Sequence, residues 1–121
     1  MKSKFSNLEE RLIEFAIMAI DLSEKLPKTF TGKHIGNQLV RSGTSPALNY
    51  GEAQAAESRR DFIHKMRICL KELRESYICL RITDKKYGKQ IEGLSLVLTE
   101  SNELVAIFTQ SIKTASVNLT R

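Results

Sequence analysis

The stretch from Ser58 to Lys85, SRRDFIHKMRICLKELRESYICLRITDK, constrains this chain more than any other. Phe62, Met66, Cys69, Leu73, Tyr77 and Leu80 recur three or four residues apart, the spacing that lines one face of an α-helix. Arg60, His64, Arg67, Lys71, Arg74, Arg81 and Lys85 recur with the same period on the other side. A helix divided in this way must bury one face against other helices and leave the other to water or an anion.

The flanking sequence reads as helical too, because 121 residues contain only two prolines and six glycines and show no strand-like alternation. Helix one is expected over about residues 7–25, with Ser6 and Glu9 as a capping box and Phe5, Leu8, Leu12, Phe15, Ala19, Leu22 and Leu26 as its seam. Helix two is expected over 33–57, with a kink or short break near Pro46, since Ser42-Gly43-Thr44-Ser45-Pro46 is poor helix material. In that helix Asn49 falls on the inward phase, with Gln38, Arg41, Ser45 and Glu52 as a polar strip. Ser58 caps helix three, over 59–84, with Asp61 in its first turn and Gly88 at its exit. Helix four is expected over 89–114, with Ile91, Leu94, Leu98, Val105, Phe108 and Ile112 at seam spacing and frayed residues from Ala115 onward.

Four helices joined by short turns make an all-α, antiparallel up-down-up-down four-helix bundle, formed by a single domain over residues 1–121. Helix one keeps Ile13, Ile17 and Ile20, and helix four Leu96, Val97, Leu104 and Ile107, beyond what one seam uses. Such surplus apolar stripes point to contact between subunits.

The formal net charge of +5 is local. Residues 58–88 carry nine basic and four acidic side chains, which is the whole excess; the other segments balance. Seven of the eight positions 60, 64, 67, 71, 74, 78, 81 and 85 are Arg, Lys or His, with only Ile78 interrupting the line. At about 1.5 Å of rise per residue the line covers roughly 38 Å, enough to follow several phosphates of a nucleic acid. The plainer reading is a solvated face partly neutralised by Asp61, Glu72 and Glu75.

Catalytic and metal-binding patterns are not met. A di-iron bundle needs Glu-x-x-His on two helices, whereas this chain has one Asp61-x-x-His64 and, elsewhere, His34. Cys69 and Cys79 lie ten residues apart, roughly 15 Å along one helix, so they cannot bridge within a subunit and read as buried free thiols in a reducing compartment. Asn49 and Glu52 could orient a ligand, but a tie between helices accounts for them more simply. No run of apolar residues is long enough for a membrane span, so the expected location is the cytoplasm, with no cofactor and no metal.

The run RSGTSPALNYGEAQAAESRRDFIHKMRICLKELRES, Arg41 to Ser76, resembles the four helix bundle protein family, related to proteins encoded by intervening sequences in bacterial large-subunit ribosomal RNA. Asn49, Glu52, Ala53, Ser58, Asp61, Phe62, Lys65, Lys71, Glu72 and Glu75 carry the resemblance, and Phe15, Leu39 and Arg41 suit it. It implies a structural polar motif of Arg41, Asn49, Glu52, Ser58, Asp61, Glu72 and Glu75 in a bacterial cytoplasmic homopentamer. The chain is also similar to the accessory protein of diversity-generating retroelements, a basic pentameric bundle that binds nucleic acid. Cys79 departs from the pattern, which has Trp nearby.

The expected function is therefore that of a non-enzymatic oligomeric binding protein that contacts RNA or DNA through Arg60, His64, Arg67, Lys71, Arg74, Arg81 and Lys85. The alternative is a scaffold for a protein partner without nucleic acid.

Overall fold

The computed structural model describes the backbone of residues 4–120 and the side chains of residues 7–117, so the capping box expected from Ser6 and the seam position Phe5 fall outside the described side chains. Its elements are α1 (Lys4–Lys25), α2 (Phe30–Gln54), α3 (Arg59–Tyr87) and α4 (Leu94–Thr120), with a 3-10 turn at Gly88–Gln90. Leu12, Phe15, Ala19, Leu22 and Leu26 of α1 are buried, as their spacing requires. They meet Leu39, Tyr50, Met66, Cys69, Leu73, Leu80, Leu94, Leu104 and Phe108 in one shared core. Tyr50 packs edge-on against Phe108 across the bundle diagonal, with ring centroids 6.0 Å apart.

Cross-helix pairs show the antiparallel sense. Ile35 meets Cys79, Ser42 meets Ser76, Pro46 meets Cys69 and Glu52 meets Lys65, so α2 and α3 run in opposite directions. Arg11 meets Glu100 and Lys25 meets the Glu92 carbonyl, which sets α1 against α4 in the same way. The neighbours around the bundle are therefore α1–α2, α2–α3, α3–α4 and, most loosely, α4–α1, with α1 and α3 on a diagonal. No helix among the described residues is long and apolar enough to cross a membrane.

The helix limits differ from expectation where local chemistry overrides the period. Thr29 caps α2, its hydroxyl accepting the Gly32 N–H at 3.1 Å, and the helix starts at Phe30 rather than at residue 33. α2 ends at Gln54 rather than near Glu57, and α3 continues to Tyr87. Gly88 (φ 50°) and Gly93 (φ 85°) hold left-handed conformations that let the chain leave α3 and enter α4 only at Leu94. α4 runs on to Thr120 instead of fraying from Ala115, because Ala115 is itself buried.

Of the kink or short break expected near Pro46, the break does not occur: α2 is helical without interruption from Phe30 to Gln54, with Pro46 inside it. Its small residues serve a close crossing. Ser42 is buried against Ser76 of α3, with their hydroxyls 3.0 Å apart, while Gly43 faces Ala19 of α1. The surplus expected on α4 is also largely absorbed: Val97 and Leu104 are buried in the core and Ile107 is packed half-buried against it, leaving Leu96 exposed. On α1 the surplus remains, with Ile13 and Ile17 about half exposed.

A Cβ at position 43 would lie 2.5 Å from the Ala19 Cβ, whereas one at position 51 would meet nothing within 4 Å. Overpacking of this kind costs about 1–3 kcal/mol, and the gain in helix propensity on replacing glycine is about 1 kcal/mol. Gly43→Ala should therefore lower the melting temperature by a few degrees, while Gly51→Ala should raise it or leave it unchanged. Thermal denaturation followed by circular dichroism checks both, and a Gly43→Ala protein as stable as wild type would contradict the close α1–α2 crossing.

Candidate nucleic-acid interface

α3 begins where Ser58, in extended conformation, turns its hydroxyl to accept the Asp61 N–H at 3.0 Å. From there the rotation of the helix is set by what it buries: Ile63, Met66, Cys69, Glu72, Leu73, Ser76, Leu80 and Thr83. Phe62 and Tyr77, expected in the core, are half-buried at its margins. Because that side is sealed, Arg60, His64, Arg67, Lys71, Arg74, Ile78, Arg81 and Lys85 are all exposed. Arg81 lies over the Tyr77 ring at 5.9 Å, a cation–π contact that holds its guanidinium near the helix. The other six charged or ionisable side chains of the line have no hydrogen-bond or ion-pair partner among the described residues. Cations held in water by nothing but solvent can exchange that solvent for phosphate without breaking a protein contact.

Two acidic neighbours of this line, Glu72 and Glu75, are held elsewhere. Arg41 of α2 donates to Glu72 at 2.9 Å and to Glu75, and these two bonds, the one to Glu75 foremost, raise its guanidinium above the ordinary range. Glu72 is buried; Glu75 is partly exposed beside it. Lys65 donates to Glu52 at 3.3 Å further along the same seam. Glu72 and Glu75 thus turn to the α2 side, while the carboxylates of Asp61 and Asp84 have no hydrogen-bond or ion-pair partner among the described residues.

Of the structural polar motif, Arg41, Glu52, Glu72 and Glu75 join α2 to α3 and Ser58 caps α3, while Asp61 supplies the capped N–H. Asn49 is placed differently from expectation. It is half-buried and its amide donates to the Ser45 carbonyl at 3.0 Å and hydroxyl at 2.9 Å, inside its own helix. Ser45 lies four residues before it, the helical spacing at which a short polar side chain reaches back to a carbonyl and hydroxyl of its own helix. Two features were not read from the residues alone: the clamp of Arg11 on Glu100 and Glu103, which needs the α1–α4 register, and the Tyr77–Arg81 stack. A spacing of four between Tyr77 and Arg81 is the signal that could have revealed the second.

The cysteines act as small core residues. Cys69 is buried with its thiol 3.6 Å from the Pro46 carbonyl, and burial pushes its pKa up to about 12. Burial also raises the half-buried Cys79, whose thiol points to the Ile35 carbonyl. Among the described residues no group of three or more His, Cys, Asp or Glu side chains is gathered to hold a metal ion.

The fold is that of an all-α, antiparallel four-helix bundle. More particularly, the chain belongs to the 23S rRNA-intervening sequence protein family, whose model matches residues 7–110. It is similar to the crystal structure of a protein of unknown function from the S23 ribosomal protein family of Bacteroides thetaiotaomicron VPI-5482. The two share 30% identity over 92% of this chain and 99% of that one, with a TM-score of 0.81. No curated protein matches the chain.

A thiol with a pKa of about 12 is ionised to roughly one part in ten thousand at pH 8. Iodoacetamide at that pH should leave Cys69 unmodified in the folded protein and label it in denaturant, as read by mass spectrometry. The folded-state pKa lies above the ordinary value of 9.0, so the stabilisation from the neutral thiol is complete below that value and fades as pH rises towards about 12. Rapid labelling of Cys69 in the native protein would contradict its burial.

Proposed function

We propose that this chain is a non-enzymatic, cytoplasmic binding protein that assembles as a homopentamer and contacts RNA or another nucleic acid through the exposed face of α3. The observation that carries the reading is the row of exposed basic side chains Arg60, His64, Arg67, Lys71, Arg74 and Lys85, without a hydrogen-bond or ion-pair partner among the described residues, joined by the stacked Arg81. Phosphates are its ligands and base edges are not, since long flexible cations spaced along one helix make a backbone track without a fixed pattern of donors and acceptors. Membership of a family named for an rRNA intervening sequence supports an RNA-linked role. The resemblance to the accessory protein of diversity-generating retroelements, read from the sequence, points the same way. No cofactor takes part.

A second reading, contact with a protein partner, is favoured by one observation. Ile78 and Ile82 are about half exposed within the basic face, and a phosphate backbone makes no use of them.

The phosphate reading predicts a steep salt dependence. With about four phosphates neutralised per subunit, affinity should fall on the order of 100-fold between 50 and 200 mM salt. Changing Arg60, Arg67 and Lys71 together to Glu should weaken binding of a structured RNA at least about tenfold in fluorescence anisotropy. An isotherm indistinguishable from wild type at both salt concentrations would end the reading.

A further inference from the structure

The surface of α1 is the counterpart of α3. Ile13 and Ile17 are 43% and 52% exposed, and Ile20 is half-buried beside them. Around them Glu9, Glu10, Glu14, Asp21 and Glu24 are all exposed, and none has a hydrogen-bond or ion-pair partner among the described residues. The basic residues of α1 with described side chains, Arg11 and Lys25, turn away from this face to Glu100, Glu103 and the Glu92 carbonyl of the α4 side. The outer face of α1 is therefore two exposed isoleucines in an acidic frame.

The C-terminal half of α3 has the same form with the opposite charge. Ile78 and Ile82, 50% and 55% exposed, are also four residues apart, and Arg74, Arg81, Lys85 and Lys86 are exposed around them. The two faces sit on diagonal helices, so they cannot meet within one chain. A second copy can bring them together.

We infer that the acidic isoleucine face of α1 docks on the basic isoleucine face of α3 in a second copy of this chain. The inference rests on the oligomeric reading and supplies its contact. Each copy uses α1 towards one neighbour and α3 towards the other, a head-to-tail interface that closes into a ring or continues as a filament according to the angle between copies. Apolar area is removed from water at the isoleucines, and the flanking carboxylates and cations fix the orientation. Tyr77 holds Arg81 near the helix before the partner arrives. Docking occupies Arg74, Arg81 and Lys85 and leaves Arg60, His64, Arg67 and Lys71 for phosphate.

The test is a mixing experiment in light scattering coupled to size exclusion. Two variants are made on exposed positions, Ile13→Asp with Ile17→Asp and Ile78→Asp with Ile82→Asp, and circular dichroism confirms their helix content. Wild type should elute as a multimer and each variant as a 13.7 kDa monomer. Each variant keeps one intact face, so an equimolar mixture should form a 1:1 dimer that neither forms alone. A monomeric wild type, a variant that still assembles, or a mixture that stays monomeric overturns the inference. Should either variant fail to fold, Glu10→Lys with Glu14→Lys and Arg81→Glu with Lys85→Glu should each be monomeric alone, and their mixture should regain the multimer, because the two reversed faces are complementary to each other; a mixture that stays monomeric overturns the inference. The Arg60, Arg67 and Lys71 variant retains the wild-type mass whatever its RNA isotherm, which keeps the failure of one reading distinct from failure of the other.

Discussion

The close passage of α2 between α1 and α3 is the constraint on which the rest of the molecule depends. Ser42 and Gly43 occupy adjacent positions and face different helices: one hydroxyl meets Ser76 of α3, and the absent Cβ makes room for Ala19 of α1. Buried hydroxyls are costly unless bonded, and here Ser76 also donates to the Glu72 carbonyl, so the crossing is satisfied without water. Arg41 then reaches Glu72 and Glu75 from the next position along. These contacts fix how α3 is rotated about its axis, and that rotation decides which of its side chains face solvent. The basic row is thus a product of the opposite side of the helix.

Much of this was legible in the residues. Hydrophobic spacing placed Met66, Cys69, Leu73 and Leu80 in the core, and the Ser58 cap gave the start of α3. Glu72 and Ser76 were harder to foresee in the core, because whether a polar residue can be buried depends on a partner from another helix. The Ser42–Pro46 run left the break open for a related reason: short polar and small residues look like a helix interruption in isolation, but they are also what two backbones need for close approach. On α4 the observed core includes Val97 and Leu104 where the expected seam had Leu98 and Val105, which are half-buried. A helix with apolar residues nearly all round offers several seams, and only its neighbours choose among them.

The candidate site divides along similar lines. A row of like charges is visible as a period, yet its availability depends on where the nearby acids go, and Arg41 settles that from another helix. The acidic face of α1 was equally present in the residues, but its significance came from topology, which sets it across the bundle from the cations.

That diagonal separation gives the chain a sizeable electric dipole perpendicular to the bundle axis. In a closed head-to-tail ring the transverse dipoles of the copies cancel, whereas for an unassembled chain near a polyanion that dipole would add a torque to the attraction. The effect fades as the Debye length shrinks to about 8 Å at physiological ionic strength, where only the final approach is guided.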